Sequence, residues 1–343
     1  GGRTSEMKAG WLPAPAHFAG SFLSLKFLSL GDKVAIARGL LAIRGERLIR
    51  KDLDRISMLD WLLEKRQPDA AIERFWRQVL VSAVNEELDR MAAAHGFQVF
   101  WLGFLSGRRA YEMGIPAVPL GELYAATARL PGVKVHFRAP VEGVEFDGER
   151  VVSIQAGGSA RVADFYVSAL PFERLQPMVP SLEVDFGAFQ HSPITGIHLW
   201  FDRAVTKLPH GTLLDRTIQW FFNKDSGRYL MLVVSASRGL LEMPRQDVVD
   251  LALKELGEFL PSVRDAVLLK AHVVKEVRAT YSAVPGLEAK RPGNRTRWRN
   301  FFLAGDWTRS GWPATMEGAV RSGYLAAEAL AREAGRHRNF VTE

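Results

Sequence analysis

FFLAGDWTRSGWPATMEGAVRSGYLAAEAL, residues Phe301–Leu330, contains the signals of a strand, a loop and a helix in that order. The first four residues are apolar and predict a buried strand. Gly305 and Asp306 follow directly, and a helix is predicted to begin near Ala314 after a loop. This order is typical of an open α/β sheet, in which ligands bind at the carboxyl ends of the strands.

The predicted helix carries small residues at spacings of three and four, which places them on one face: Gly318, Ala319, Ser322, Gly323 and Ala326. A face without bulk lets another body approach the helix backbone, and the free N–H groups at a helix N-terminus favour an anion. Either a cofactor or a tightly packed strand fits such a face. Asp306 favours the cofactor, because a carboxylate at a strand end is well placed to hold a ribose or ribityl hydroxyl.

Two segments of this stretch, AGDW and GWPATMEGAVRSG, resemble the C-terminal flavin motif of the amine oxidase and phytoene desaturase superfamily. The chain is most similar to one branch, the squalene-associated FAD-dependent desaturases, or hydroxysqualene dehydroxylases, of bacterial hopanoid pathways. Four further segments carry this likeness: Ser21–Ile43, Arg74–Asn85, Pro116–Ala125 and Lys275–Thr296. The resemblance implies a flavoprotein oxidoreductase of isoprenoid lipid metabolism with FAD as its cofactor.

The resemblance also implies the fold, which is α/β (α+β) and similar to that of p-hydroxybenzoate hydroxylase. A discontinuous, Rossmann-like FAD-binding domain is expected at residues 1–10, 115–171 and 291–343. An inserted substrate domain of helices and a mixed sheet is expected at 11–114 and 172–290.

Such families bind the pyrophosphate of FAD at a G-x-G-x-x-G turn in an N-terminal βαβ unit. This sequence contains no such turn, and it opens on Gly1, Gly2 and Arg3, which resemble the segment that follows the unit. We therefore expect that the βαβ unit is missing here, together with a second piece between Ser5 and Trp11. Without these anchors, weak FAD binding is expected of these residues alone.

Twelve positions are implied by the resemblance to contact FAD: Gly1, Gly2, Arg3, Val141, Gly305, Asp306, Trp312, Pro313, Ala314, Thr315, Met316 and Gly318. Backbone groups of Val141 are expected at the adenine, and Trp312 as an apolar wall of the isoalloxazine. The N–H groups of Thr315 and Met316 are expected at its N1/C2=O edge, since a helix N-terminus favours the charge of reduced flavin. Glu317 is expected to turn away toward the pyrophosphate or a basic partner.

The reaction implied is the reductive removal of an allylic hydroxyl from hydroxysqualene, a C30 isoprenoid, with electrons from an external donor. An oxidative phytoene-type desaturase, with hydride flowing the other way, and a flavin-free remnant that acts as a binding protein are the alternatives. Departure of the hydroxyl requires a proton donor. Tyr281 and His198 are the candidates, and each also suits a structural role.

The rest of the chain divides into a helical part and two sheets. Residues 11–114 are predicted mostly helical, with capping-box starts at Ser29-x-x-Asp32 and Ser57-x-x-Asp60. After a helix at 120–130, a first group of strands is predicted at 133–137, 141–146, 151–154 and 165–170. A second sheet is predicted at 194–201, 218–222, 229–234 and 271–280, with a helix at 248–260.

Composition and charge exclude several classes of site. The chain has no cysteine, which excludes disulfides and thiolate chemistry and is compatible with the cytoplasm. Its eight histidines lack metal-ligand spacing, so no metal is expected. The net charge is +7, but the basic residues are spread along the chain, and no nucleic-acid partner is expected.

One apolar segment, 17–30, is shorter than the roughly 20 residues that span a bilayer. Basic residues follow it as far as Lys51. Two interpretations remain open: a peripheral contact of 17–51 with the inner face of the cell membrane, or a helical hairpin of the core.

Overall fold

The computed structural model describes residues 4–14, 16–107, 109–110 and 112–341, without the side chain of Ala128. Gly1, Gly2 and Arg3, which the sequence analysis assigned to FAD, lie outside the described residues.

Helices dominate the first third of the chain and its C-terminus. They are α1 (Ala19–Leu23), α2 (Leu30–Glu46), α3 (Met58–Glu64), α4 (Asp69–Ala71), α5 (Arg77–Val84), α6 (Ala93–Phe100), α7 (Leu120–Leu123), α8 (Phe172–Met178), α9 (Arg245–Phe259), α10 (Ser262–Asp265) and α11 (Met316–Glu333). A π-helical turn at Ile72–Trp76 joins α4 to α5, and another at Trp101–Leu105 extends α6.

The strands form three sheets. They are β1 (Val141–Phe146), β2 (Val151–Ala156), β3 (Ser159–Arg161), β4 (Tyr166–Ser168), β5 (His191–Phe201), β6 (His210–Thr212), β7 (Trp220–Asp225), β8 (Tyr229–Ser235), β9 (Leu268–Tyr281) and β10 (Phe301–Leu303). One sheet is antiparallel in the order β1-β2-β3, and β4 pairs with β10 in parallel. The largest sheet is antiparallel in the order β6-β7-β8-β5-β9.

The chain separates into two compact units. Unit 1 comprises the residues up to Ala110, Gly187–Lys290 and Pro313–Thr315. Unit 2 comprises 112–186, Arg291–Trp312 and 316–341. The assignment of a flavin role and a substrate role to separate parts of the chain stays a prediction.

The five-stranded sheet of unit 1 buries one face under α9. Alternate residues of β5 point to this face, where Ile197 and Leu199 are fully buried in one cluster with Val248 and Leu256 of α9. Glu255 of α9 is also buried, and its carboxylate accepts the backbone N–H groups of Thr217 and Ile218 just before β7. The helix is thereby fixed to the sheet by apolar burial and by satisfied polar groups.

The helical part of unit 1 starts its helices as the sequence predicts. Ser29 and Ser57 each form a complete capping box at the first residues of α2 and α3. The helices pack around Trp76, which is fully buried and lies edge-on to its aromatic neighbours. Gly39 allows α2 to cross this indole, because a Cβ there would lie 2.7 Å from the ring.

Asn85 and Glu86 connect the end of α5 to the sheet of unit 1. Asn85 has a φ of +58°, and its side chain bonds the carbonyl of Ser192, the hydroxyl of Thr280 and the N–H of Ala236. Glu86 is fully buried. Both of its carboxylate oxygens lie 2.7 Å from the guanidinium of Arg238, and one also accepts the hydroxyl of Ser282. These two side chains therefore satisfy the buried polar groups at the junction of helix and sheet.

In unit 2 the strand at 133–137 was wrongly predicted. Its alternating apolar residues are exposed, with Phe137 at 81%, and within the described ranges no strand pairs with them. An alternating sequence becomes a strand only when a neighbour takes up its backbone hydrogen bonds. The predicted hairpin at Asp147-Gly148 and the turn at Gly157-Gly158 are present, and both glycines of the second turn have positive φ.

None of the helices in the described ranges combines the length and the apolar content that a bilayer-spanning segment requires. Within the same ranges, no group of three or more histidine, aspartate or glutamate side chains is arranged to hold a metal ion.

We predict that Glu86→Gln lowers the free energy of unfolding by about 2 kcal/mol, because it removes the buried, charged acceptor of the hydrogen bonds from Arg238 and Ser282. Burial raises the pKa of Glu86, but the bonds from Arg238 and Ser282 outweigh it and hold this pKa below its ordinary value. The carboxylate therefore contributes stability above its unfolded-state pKa, and that contribution is lost as the pH falls through the folded-state pKa. Urea unfolding at pH 7 and in mild acid measures both effects.

The matched control is Glu87→Gln, since Glu87 pairs with Arg77 in a half-exposed position. This variant is expected to change stability by no more than about 1 kcal/mol. Equal losses for the two variants would contradict the role given to Glu86.

Candidate functional site

The candidate site lies at the carboxyl ends of β4 and β10, the only parallel pair in the described part of the chain. Leu303 is opposite Ser168, and the N–H of Ala304 donates to the carbonyl of Ser168 at 2.8 Å. The two strands therefore end side by side. Parallel strand ends of this kind are where α/β sheets bind ligands.

Gly305 turns the chain sharply at the end of β10. Its φ is +120°, and a Cβ at this position would lie 2.7 Å from the indole nitrogen of Trp307. Its carbonyl accepts both the N–H and the hydroxyl of Thr308, which closes the turn. A residue with a side chain is excluded here by both conformation and space.

Ser322 holds α11 against this turn. Its hydroxyl accepts the N–H of Gly305 at 2.8 Å and donates to the carbonyl of Ala319 at 2.6 Å. Gly318, Ser322 and Ala326, which follow one another at four-residue steps, are the buried residues of the helix. The small face predicted from the sequence therefore serves close helix packing, at least at Ser322.

Trp307 joins the loop after β10 to the loop after β4. It is 1% exposed, and its indole N–H donates to the carbonyl of Leu170 at 3.0 Å. Its ring packs near those of Phe172 and Phe186. The two loops at the parallel strand ends are thereby held in one arrangement.

Arg291 fixes the loop 306–310 through hydrogen bonds, and its side chain is buried, with 1% exposed. Its Nη2 donates to the backbone carbonyls of Asp306, at 2.8 Å, and Thr308, and to the hydroxyl of Ser310 at 3.3 Å, and its Nε donates to the carbonyl of Trp307 at 3.4 Å. A planar guanidinium presents several donors in a rigid fork, so one side chain can fix several carbonyls at once. Arg291 was not predicted as a site residue, because in the sequence it is one of many basic residues spread along the chain.

Asp306 follows Gly305 in this loop and is partly buried. Burial raises the pKa of Asp306 above its ordinary value, and the backbone N–H of Trp307 and the charge of Arg291 offset only part of that effect. The folded protein therefore holds the anion at a cost. A ligand that donates hydrogen bonds to this carboxylate would remove part of the cost.

A second polar group near the strand ends also has spare hydrogen-bonding capacity. The hydroxyl of Ser168, the last residue of β4, is buried and has no hydrogen-bond partner among the described residues. Buried polar atoms without partners are rare in native proteins. A carboxylate and a free hydroxyl beside a glycine turn fit the polyol chain of a dinucleotide cofactor.

The other residues predicted to contact FAD are spread along the loop and the first turn of α11. Pro313, Ala314 and Gly318 are buried, Trp312 and Thr315 half-buried, and Met316 exposed. The helix begins at Met316, two residues later than predicted from Ala314. The hydroxyl of Thr315 donates to the carbonyl of Pro313, so this residue belongs to the preceding turn.

Glu317 turns outward, as expected, and lies 3.8 Å from Arg321. Val141, predicted to contact the adenine, is the first residue of β1 and pairs with Ala156.

The two candidate proton donors are not brought together. Tyr281 pairs with His191 at one end of β5, is 3% exposed and lies edge-on to Phe189. His198 is seven residues further along β5, which is roughly 23 Å at strand spacing. The two side chains therefore cannot serve the same leaving oxygen.

His198 has the environment of a neutral imidazole. Its Nδ1 lies 2.7 Å from the hydroxyl of Tyr229. Burial, and the charge of His272 on the neighbouring strand, lower the pKa of His198. It is half-exposed on the sheet face away from α9, so it can meet a ligand.

One known protein family matches most of this chain. The profile of the family described as "Flavin containing amine oxidoreductase" matches residues 4–331. The chain belongs to this family, and the prediction of FAD as the cofactor is confirmed by that membership.

Two similar proteins are carotenoid desaturases by name. A 15-cis-phytoene desaturase of an Oncidium hybrid cultivar is 28% identical, over 93% of this chain and 60% of the relative. A probable zeta-carotene desaturase of Synechococcus elongatus is also 28% identical, over 88% of this chain and 72% of the relative. The chain thus spans well under two thirds of the length of the Oncidium relative.

Among solved structures, a putrescine oxidase variant superposes with a TM-score of 0.69 over 89% of this chain and 76% of its own, at 14% identity. At that identity, the likeness shows the fold alone. The predicted α/β class is confirmed.

We predict that Asp306→Asn weakens FAD binding at least tenfold, because hydrogen bonds to a charged acceptor are worth about 1.5–3 kcal/mol. The same variant should stabilise the flavin-free protein at neutral pH. Since the folded-state pKa of Asp306 is raised, the wild type loses stability as the pH rises through that pKa, and an amide does not. Flavin titration and urea unfolding at two pH values measure these effects.

The stability gain should therefore be larger at pH 7.5 than in mild acid. Unchanged flavin affinity, or a loss of stability at pH 7.5, would show that Asp306 only caps the turn.

We further predict that Arg291→Lys loosens the loop 306–310 and lowers stability by roughly 2–3 kcal/mol, because an ammonium keeps the charge but cannot replace the fork. Hydrogen exchange of the loop amides is the direct measurement. Arg309→Lys is the control, since the Arg309 side chain is exposed within the same loop. Equal exchange rates in both variants would contradict the role of Arg291.

Proposed function

We propose that this chain is an FAD-dependent oxidoreductase of long isoprenoid hydrocarbons, and that its reaction is the reductive dehydroxylation of hydroxysqualene to squalene. Two findings support a flavin-dependent reaction: the membership of the family, and the partly buried carboxylate of Asp306 at the strand ends. The single observation that supports a hydrocarbon substrate is a continuous row of side chains on the sheet face that faces away from α9.

This row crosses all five strands of the sheet. Strand register places His210, Phe222, Met231, His198 and His272 side by side, one from each strand. Strands lie about 4.8 Å apart, so the row is roughly 19 Å long. Phe222 and Met231 give this row apolar surface, and the three histidines give it polar groups at fixed points along its length.

Aromatic rings extend this row on both sides. Trp200 stacks on Tyr229 with ring centres 4.5 Å apart, and Trp220 stacks near Phe222 at 5.9 Å. In contrast, Phe201 and Phe221 point to the opposite face and are buried in the core. The aromatic residues of this sheet therefore divide into a core group and a candidate substrate wall.

The proposed reaction balances with one hydride equivalent and one proton. A C–O bond of the allylic alcohol breaks, a C–H bond forms, and the hydroxyl leaves as water once it is protonated. Reduced FAD supplies the hydride equivalent when bound, and an external donor returns two electrons. The protein has to exclude water, hold the isoprenoid substrate and deliver the proton.

His198 is the residue that we place at the leaving oxygen. It lies in this row between Met231 and His272, whereas Tyr281 is buried beside Phe189. The lowered pKa of His198 makes its protonated form a stronger acid but a less populated one at neutral pH. The rate of dehydroxylation should therefore fall as the pH rises through that pKa.

A phytoene-type desaturase remains the second candidate, and the names of the Oncidium and Synechococcus relatives favour it. The same wall and the same flavin site serve a polyene in either direction of hydride flow. A flavin-free remnant that acts as a binding protein is the third candidate.

We predict that protein with reduced flavin is oxidised by hydroxysqualene in a single turnover, and that His198→Ala slows this step at least 100-fold, since a general acid contributes about 10²–10⁴ in rate. Stopped-flow absorbance of the flavin measures the step. Tyr281→Phe is the matched control and should react within a few-fold of the parent.

Turnover of phytoene by oxidised flavin without hydroxysqualene turnover would overturn the proposal in favour of desaturation. A colourless protein that cannot be reconstituted with FAD would favour the remnant.

A further inference from the structure

Helix α2 presents apolar residues outward as well as inward. Its inward face, with Ile36 and Ile43, is fully buried. Its outward face has Leu30, Val34 and Leu41, which are 72%, 43% and 63% exposed. Steps of four and seven residues place these three on one stripe of the helix. The stripe is not part of the core of unit 1.

Residues at both ends lengthen this stripe. Leu48 and Ile49, in the turn after α2, are 78% and 73% exposed. Leu23, at the end of α1, is 59% exposed, and its carbonyl accepts the ammonium of Lys33 at 2.7 Å, which places it beside the first turn of α2. We call these six residues, Leu23, Leu30, Val34, Leu41, Leu48 and Ile49, the α2 stripe.

Within residues 19–51, the charged side chains that are exposed are all basic. Residues 19–51 contain seven lysines and arginines and two acids. The exposed basic residues are Lys26, Arg38, Arg44 and Lys51.

Both acids are used inside the protein. Asp32 is buried in the capping box with Ser29. Glu46 accepts the indole N–H of Trp61 and pairs with Lys65 and Arg50. Neither acid therefore offsets the basic residues that flank the α2 stripe.

We propose that the α2 stripe docks this protein onto a lipid bilayer that contains anionic phospholipid. Leucines inserted at the boundary of head groups and acyl chains, with basic residues at the phosphates, are the features of a helix that lies in the interface. α2 has 17 residues and is about 25 Å long, which suits a helix lying in the membrane plane. The α2 stripe lies within the segment 17–51 for which the sequence left a membrane contact open, but Phe18, Leu25 and Leu28 of that segment are buried and take no part in it.

The other occupants fit these residues less well. A second copy related by a two-fold axis would bring the basic flanks of both stripes together, and like charges oppose such an interface. A nucleic acid would match the charge but leave the exposed leucines uncovered. An anionic bilayer has both apolar acyl chains for the leucines of the α2 stripe and phosphates for the basic residues beside it.

The test is co-sedimentation with vesicles of phosphatidylcholine containing 30% phosphatidylglycerol, using the flavin-loaded protein. Wild type should bind these vesicles at least fivefold more tightly than pure phosphatidylcholine. The double variant Leu41→Glu/Leu48→Glu should weaken binding at least tenfold, and Arg38→Gln/Arg44→Gln should remove the preference for the anionic lipid. Because all four side chains are exposed, these variants should fold, and circular dichroism checks that they do.

Leu269→Glu is the matched control, since Leu269 is 66% exposed on β9 and outside the α2 stripe. It should bind vesicles like the wild type. Equal binding by the Leu41→Glu/Leu48→Glu variant and the wild type would overturn the proposal. So would a wild-type dimer in light scattering that this variant dissociates while neither binds vesicles. The result is independent of the proposed reaction, because the assay measures no turnover.

Discussion

The buried guanidinium of Arg291 is the interaction on which the candidate site depends. The loop 306–310 has no regular secondary structure, so its carbonyl groups need partners that a helix or sheet would otherwise supply. Arg291 provides them from one rigid fork, and Trp307 ties the same loop to the carbonyl after β4. Gly305 can then keep its unusual backbone conformation, and Asp306 is held with its carboxylate partly buried. The site is thus positioned by main-chain contacts more than by packing of its own side chains.

Those parts of the fold that depend on local chemistry could be predicted from the sequence. The capping boxes at Ser29 and Ser57 need only residues three positions apart, and both are present. Four of the five strands of the large sheet were predicted to within a few residues, because they alternate strongly and are bounded by turns, whereas the three-residue strand β6 was not predicted. The stretch 133–137 has the same alternation but no neighbour in the described ranges. Whether a strand forms there is decided by partners that the alternation itself does not contain.

The candidate site was predicted in part for the same reason. Gly305 and Asp306 stand out because a glycine and an acid at a strand end have a local meaning. Arg291 and Ser168 were missed, since burial gives each its role and nothing in the sequence distinguishes Arg291 from the exposed basic residues that follow it. Tyr281 and His198 were considered as equals from the sequence. Strand register separates the two along β5, and of the two only His198 lies on the candidate substrate wall.

The raised pKa of Asp306 also bears on how long the protein survives. A flavin-free molecule that must hold this anion against burial is less stable than its packing alone would make it. A ligand that binds only the folded state adds stability that grows with the logarithm of its free concentration. If the unfolded form is removed by proteolysis, the amount of enzyme follows the supply of flavin, with no separate sensor. The carboxylate of Asp306 would then serve flavin binding and also shorten the lifetime of protein molecules that have no flavin bound.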